Sequence, residues 1–222
     1  HCRPLVEHFM SGSSGSSSGP PPHTRQTCQR GPECMCCLLD ELIVATYNGE
    51  TEPLSPTSLL RSLWQGSAHG LIGYEQQDAH EMLIELRHLL HTHAGGSSFN
   101  CTCIVHRLFA GVLQSTVTCG HCQAHTETLD PFLDLSLEPA ATLIESFERF
   151  IQPERLPAHS YTCPSCHRNQ QDATKQFLLR TPPPILTLHL KRFEHPAAAK
   201  LDLPVRFPQW LNLAPFTLLQ TP

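Results

Sequence analysis

The sequence predicts an α+β fold, with helices in the first hundred residues and mostly strands after them. Before residue 100, apolar residues recur at helical spacing in three separate segments. After it, β-branched and aromatic residues are enriched, with partial alternation, in GVLQSTVTC, AHTETLDPFLDLSL and ILTLHLKRF, which is typical of strands. Helices followed by a run of strands indicate an α+β domain rather than alternating β-α-β units.

Each helix has its own boundary signals. The first, within 37–49 (CLLDELIVATYNG), has one apolar face and ends at a glycine. The second begins at Ser-Pro, an N-cap followed by proline at the first helical position, and covers about 55–64. The third covers about 78–91 and opens with DAHE, the pattern of a capping box. A fourth helix, about 142–150, interrupts the strands.

Composition restricts the classes of function. The chain has 222 residues and a formal net charge of −5, which argues against a phosphate-binding surface and therefore against direct nucleic-acid binding. Apolar runs are all too short for a membrane span. Residues 11–22 (SGSSGSSSGPPP) are expected to be a flexible insert with no function of its own.

Cysteine and histidine are unusually frequent, with 11 and 15 residues. An odd number of cysteines leaves one thiol over in a pure disulfide framework. The first residues also lack a secretory signal, which favours a reducing compartment. Clustered cysteines in such a compartment indicate metal binding or catalysis.

Two CxxC pairs form the strongest metal-binding pattern. Cys119 and Cys122 in CGHC, and Cys163 and Cys166 in CPSC, together supply four thiolates for a tetrahedral structural zinc site. The segment between the two pairs is long, so it must form a small subdomain whose two ends lie together at the zinc site. The alternatives are disulfides or a redox pair, but neither pair clearly lies at the strand-to-helix turn of a thioredoxin-like site.

Two further groups mix cysteine with histidine. Cys101, Cys103 and His106 in CTCIVH offer three ligands, and HLLHTH just upstream offers three histidines, at 88, 91 and 93, as the fourth. Two interpretations fit the spacing equally well: a zinc site, or buried thiols that happen to lie near surface histidines. The other group comprises His23, Cys28, Cys34 and Cys37, with Cys36 as a competing thiol. His80-Glu81 starts like a zinc-protease HExxH motif, but Ile84 stands where the second histidine is required.

Four motifs in this order resemble the ubiquitin-specific protease family: GYEQQDAHEM (73–82), DPFLDLSL (130–137), LHLKRFEH (188–195) and VRFPQWLNLAPF (205–216). GYEQQDAHE, CTCIVH and KRFEH are most similar to the histone-deubiquitinating subfamily of the SAGA coactivator. The resemblance implies a papain-like cysteine protease hand with zinc-stapled fingers. It places a helical thumb at 1–92, fingers at 93–176 and part of the palm at 177–222.

The resemblance also implies particular site residues and partners. It makes His91 the fourth ligand of the CTCIVH site and His23 a ligand beside Cys28, for about three structural zinc ions in all. It assigns Gln77 and Asp78 to the channel for the ubiquitin tail, where a carboxylate suits the arginines of that tail. The implied partners are ubiquitin, a ubiquitinated histone and the SAGA adaptor subunits. The implied location is the nucleus, with the cytoplasm as second choice.

The family's catalytic motifs are the main departure from this resemblance. Isopeptide hydrolysis needs a cysteine nucleophile, a histidine base and an acidic or amide residue that orients it. The chain has no run like GNTCFMN and no GHY-like motif, so we expect a deubiquitinase segment truncated at both ends and inactive alone, with no catalytic residue among the 222. Cys2 is a poor nucleophile candidate. The alternatives are an inactive ubiquitin-binding scaffold of the same fold and, less favoured, a nucleic-acid-binding zinc module.

Overall fold

The structure is a computed structural model that describes residues 3–10, 28–49, 52–66, 78–96, 98, 101–170, 172–194 and 199–218. The expected flexible insert at 11–22, the candidate ligand His23 and the candidate ubiquitin-channel residue Gln77 lie outside these ranges. The chain forms two compact units, His1–Leu108 and Phe109–Pro222.

The described part of the first unit is helical. Its helices are α1 (Arg3–Met10), α2 (Met35–Tyr47), α3 (Thr57–Gly66), α4 (Ala79–His93) and α5 (Ile104–Phe109), the last of which ends one residue into the second unit. The three helices expected from the sequence correspond to α2, α3 and α4, within about two residues at most ends. Helices α2, α3 and α4 pack against one another around a core that includes Met35, Leu63 and Leu90.

Helix α4 has a defined cap at each end. At the start, Oδ1 of Asp78 accepts the backbone N–H of His80 at 2.8 Å, so the expected N-cap is present. The bond goes to the second helical residue rather than to Glu81, the third. At the end, Gly95 adopts φ +77°, and the N–H of Gly96 donates to the carbonyl of His91 at 2.8 Å. This is the bonding pattern of a Schellman motif, in which glycine tolerates the left-handed turn.

The second unit is built on an antiparallel four-stranded sheet in the order β2-β1-β7-β4. A separate parallel pair joins β3 to β8, and short pairs join β5 to β6 and β9 to β10. The strands are β1 (Gly111–Thr118), β2 (His125–Phe132), β3 (Leu135–Leu137), β4 (Glu154–Arg155), β5 (Tyr161–Thr162), β6 (Asn169–Gln170), β7 (Thr174–Thr181), β8 (Leu188–Leu190), β9 (Phe193–Glu194) and β10 (Ala199–Lys200).

One apolar core holds this unit together. Helix α6 (Leu143–Ile151) begins at Thr142, whose hydroxyl accepts the N–H of Glu145 at 3.1 Å. Its Phe147 is fully buried and stacks on Phe216 with ring centroids 4.9 Å apart. Leucines of β1, β3 and β7 complete the core: Leu113, Leu135, Leu137 and Leu179. The expected α+β class is therefore confirmed.

Candidate metal centres

The two CxxC pairs form matched turns at one place in the second unit. Cys119 follows β1 and Cys163 follows β5, and each donates its backbone N–H to the carbonyl of the fifth residue on, Ala124 at 3.0 Å or Arg168 at 3.1 Å. The residue after the second cysteine has positive φ in both turns, at Gln123 and His167. Each turn therefore points two sulfurs in one direction.

The four sulfurs lie at the spacing of a tetrahedral zinc site. Sγ of Cys119 is 3.8 Å from Sγ of Cys166, and Sγ of Cys122 is 3.6 Å from Sγ of Cys163. Four thiolates around one zinc ion at the usual bond length are about 3.8 Å apart. A disulfide would require about 2 Å, so the disulfide alternative fails for this four-cysteine cluster (Cys119, Cys122, Cys163 and Cys166).

Backbone N–H groups in these turns favour the thiolate form. The N–H groups of Cys166 and then Ser165 lower the pKa of Cys163 to about 6. In the other turn, the N–H of Cys122 is the main cause that lowers the pKa of Cys119. A thiol must lose its proton to bind metal, so these turns prepare one sulfur in each pair as a ligand.

The second cluster lies in the first unit and combines two thiols with two imidazoles. His91 comes from the last turn of α4, Cys101 and Cys103 from the segment before α5, and His106 from α5 itself. The carbonyl of Cys103 accepts a hydrogen bond from the backbone N–H of Arg107 at 3.0 Å, so Cys103 lies at the start of α5. We name this group the mixed cluster.

Distances in the mixed cluster also fit a tetrahedral ion. Nδ1 of His91 is 3.4 Å from Sγ of Cys101 and 3.3 Å from Sγ of Cys103. Nδ1 of His106 is 3.0 Å and 3.3 Å from the same two sulfurs. Nitrogen and sulfur ligands on one zinc ion are about 3.6 Å apart. Burial and then the neighbouring His91 lower the pKa of His106, which favours the neutral, metal-binding imidazole.

Cys28, Cys34 and Cys37 form the third group, named here the three-cysteine cluster. Their sulfurs lie within 4.8 Å of one another. Cys34 is the N-cap of α2 and Cys37 lies in its first turn. His23, the expected fourth ligand, lies outside the described residues. All three clusters bring together side chains that could hold a metal ion, cysteines alone in two of them and cysteines with histidines in the mixed cluster.

Cys36 is not a member of the three-cysteine cluster and contacts α4 instead. Its sulfur lies 3.5 Å from the carbonyl of Leu90 in α4, and the side chain is buried. Burial is the main cause that raises the pKa of Cys36 to about 12. Cys36 is therefore a neutral core thiol. The ten described cysteines form no disulfide with one another.

Sequence reasoning did not anticipate the contacts of two residues that support these sites. Of the three histidines in HLLHTH, His93 does not enter the mixed cluster and instead accepts the N–H of Met35 at 2.9 Å through Nδ1. Gly96 lies against the ring of His91, so that a Cβ at this position would be 2.1 Å from Nδ1. The sequence signal for Gly96 was the Gly-Gly pair that ends α4, but its contact with His91 depends on the folded turn.

Family models and known proteins identify the class of this chain. The model of the ubiquitin carboxyl-terminal hydrolase family matches residues 1–221, and the chain belongs to that family. It is 36% identical over 198 residues to the probable ubiquitin carboxyl-terminal hydrolase 8 of Schizosaccharomyces pombe, covering 86% of this chain and 42% of that protein. It is 35% identical to the ubiquitin carboxyl-terminal hydrolase nonstop of Drosophila melanogaster, covering 83% of this chain and 45% of that protein.

Solved structures agree with this assignment. The SAGA DUB module Ubp8/Sgf11/Sus1/Sgf73 bound to monoubiquitin contains a chain 32% identical to this one, with a TM-score of 0.79 over 97% of this chain and 49% of that chain. The same module bound to ubiquitin aldehyde gives a TM-score of 0.80. The expected family, its SAGA-type subfamily and the ubiquitin-specific protease fold are confirmed. The chain spans less than half the length of these relatives.

Proposed function

We propose that this chain is the ubiquitin-binding and metal-stapled part of a cysteine-type deubiquitinase that hydrolyses the isopeptide bond at the C-terminal glycine of ubiquitin. The observation that supports this most directly is the structural likeness over 97% of the chain to Ubp8 in a module bound to monoubiquitin. The curated relatives named above are hydrolases, which supports an enzyme over an inactive scaffold.

Zinc is the metal proposed for all three clusters, with about three ions per chain. Thiolate and imidazole ligands suit zinc, and the four ligands of the four-cysteine and mixed clusters leave no position for a catalytic water. The ions would therefore stabilise the fold rather than take part in hydrolysis. Elemental analysis of the purified chain is expected to find three zinc ions; one or none would contradict the mixed and three-cysteine sites.

Ubiquitin binding is proposed to involve Gln77 and Asp78. Asp78 is half-buried at the start of α4, where one carboxylate oxygen caps the helix. Its negative charge would also attract the basic ubiquitin tail. A cap can be kept while the charge is removed, because asparagine is as good an N-cap as aspartate. The two roles of Asp78 are therefore separable by substitution.

Binding of monoubiquitin to the purified chain, measured by calorimetry, tests this proposal. We expect Asp78→Asn to weaken binding about tenfold, the effect of losing one charged hydrogen bond, while the thermal stability stays unchanged. Asp78→Ala should weaken binding and also destabilise α4. Equal affinity for the wild-type chain and Asp78→Asn would contradict the proposed contact.

The proposed substrate is a ubiquitinated histone, and the proposed partners are SAGA adaptor subunits in the nucleus. What supports them is the assembly of Ubp8 with Sgf11, Sus1 and Sgf73 in the matching structures. In the described part of the chain no helix is long and apolar enough to span a membrane. We expect the 222 residues alone to leave a ubiquitin–fluorophore conjugate uncleaved, and thiol-dependent turnover would show that they contain a nucleophile.

A further inference from the structure

The last turn of α4 lies between the two metal clusters of the first unit. His91 turns its ring to the mixed cluster. The residues on either side of it contact the segment that carries the three-cysteine cluster. The carbonyl of Leu90 accepts from Sγ of Cys36 at 3.5 Å, and the carbonyl of Thr92 accepts from the guanidinium of Arg30 at 3.2 Å. One helical turn therefore faces both clusters.

His93 makes the most specific of these contacts. Its Nδ1 accepts the N–H of Met35, the first residue of α2, at 2.9 Å. A helix N-terminus leaves its first N–H groups without intrahelical partners, and a local side chain usually supplies one. The N-cap of α2 is Cys34, whose side chain makes no capping hydrogen bond. The cap comes instead from a residue 58 positions away in the sequence.

This cap has a direct bearing on the three-cysteine cluster. Cys34 precedes the capped residue and Cys37 follows it by two, so both lie on the turn that His93 holds. Met35 and Cys34 are completely buried, and a buried N–H without a partner is costly. Movement of α4 would remove the cap and shift the two sulfurs. His93 is two residues, or about 200° of helix, from His91, so one rigid turn serves both sites.

We propose that His93 is a positioning residue that couples the two clusters, so that metal loss from the mixed cluster loosens the three-cysteine cluster. The inference rests on the proposed zinc binding at both sites. When the mixed cluster is empty, the last turn of α4 loses the anchor at His91. The cap from His93 to Met35 then loosens, and the sulfurs of Cys34 and Cys37 release their ion more readily.

Site-resolved alkylation of the zinc-loaded 222-residue chain under a chelator tests this coupling. Mass spectrometry gives the modification rates at Cys28, Cys34 and Cys37, while the buried thiol of Cys36, which is not a proposed ligand, reports unfolding of the first unit. The substitutions C101S and C103S empty the mixed cluster. In the wild-type background we expect this to raise the rates at the three-cysteine cluster about tenfold, the factor for one capping hydrogen bond.

In the His93→Ala background the rates should already be raised, and emptying the mixed cluster should add less than about twofold, since the cap is already gone. His93→Asn should restore the coupling, because the asparagine oxygen occupies the position of Nδ1. His88→Ala, an exposed histidine on the same helix, serves as the matched control and should behave as wild type.

Three results would overturn the inference. Equal effects of emptying the mixed cluster in the wild-type and His93→Ala chains would show that His93 carries no coupling. Loss of one whole zinc equivalent in His93→Ala, without rescue by asparagine, would make His93 a ligand instead. Fewer than three zinc ions in the wild-type chain before chelation would overturn the proposed metal sites themselves, and elemental analysis detects that separately.

Discussion

The four-cysteine cluster and the mixed cluster each offer four candidate metal ligands but are built in different ways. The four-cysteine cluster takes its ligands from two short turns, each of which fixes its own sulfurs by backbone hydrogen bonds. The mixed cluster takes His91 from the end of one helix and His106 from another. The first arrangement is set locally, whereas the second depends on how helices pack and end. Substitutions near each cluster should therefore have different effects.

The largest effect is expected from removing a ligand of the four-cysteine cluster. Cys163→Ser should abolish metal binding there and lower the stability of the second unit by at least about 4 kcal/mol, because structural zinc supplies much of the folding energy of small zinc-bound subdomains. Zinc content should fall by one ion, and thermal unfolding should shift strongly. Retention of all the zinc would show that the two turns do not share one ion.

Much of this cluster was predictable from sequence because its information is local. A CxxC turn offers two sulfurs wherever it occurs, so four ligands follow from two short motifs. The mixed cluster was not equally predictable. Residues 88, 91 and 93 all lie at the end of one helix, and only the packing of that helix decides which of them faces the cysteines. The resemblance to a family, rather than the spacing, selected His91.

The fold shows the same division. Caps at Asp78 and Thr142, and the helices they begin, are encoded within a few residues. The insertion of β7 between β1 and β4, and the parallel pairing of β3 with β8, join segments far apart in sequence and depend on tertiary packing. The six-residue helix α5 was also missed, since CTCIVH is too short to show helical periodicity.

Cys36 and Cys37 provide the next comparison, between neighbouring cysteines of different roles. Cys37→Ala should remove the ion of the three-cysteine cluster. Cys36→Ala should keep it and cost about 1–3 kcal/mol through lost packing and the lost contact with Leu90. Zinc content and denaturant unfolding of the two variants measure both quantities. Loss of zinc from Cys36→Ala would mean that the thiol in the core can act as a ligand.

Gly96 and Gly95 allow a matched test of the mixed cluster. A Cβ at Gly96 would lie 2.1 Å from Nδ1 of His91, whereas one at Gly95 would meet nothing within 4 Å. Gly96→Ala should weaken metal binding at the mixed cluster about 10- to 100-fold, as expected when the support of a ligand is displaced. Gly95→Ala should cost about 1 kcal/mol of stability through its positive φ and leave metal affinity unchanged. Competition with a chromogenic chelator measures the affinities, and equal affinities for the two variants would contradict the proposed seating of His91.

The smallest effect is expected at Tyr161, two residues before Cys163. Its hydroxyl forms a hydrogen bond with the hydroxyl of Thr126 in β2, at 2.8 Å. Tyr161→Phe should lower the free energy of unfolding by about 0.5–1.5 kcal/mol. Adding Thr126→Val to that variant should lower it little further, since both substitutions remove the same hydrogen bond.

Zinc release from the four-cysteine cluster should nevertheless change less than about twofold in Tyr161→Phe, because its turns hold their sulfurs through their own backbone. Release followed with a chromogenic chelator gives this rate. The contradicting result would be that Tyr161→Phe speeds zinc release from the four-cysteine cluster as much as Gly96→Ala speeds it at the mixed cluster. That result would show that the four-cysteine cluster also depends on distant support. The contrast between a locally built site and one built by helix packing would then not hold.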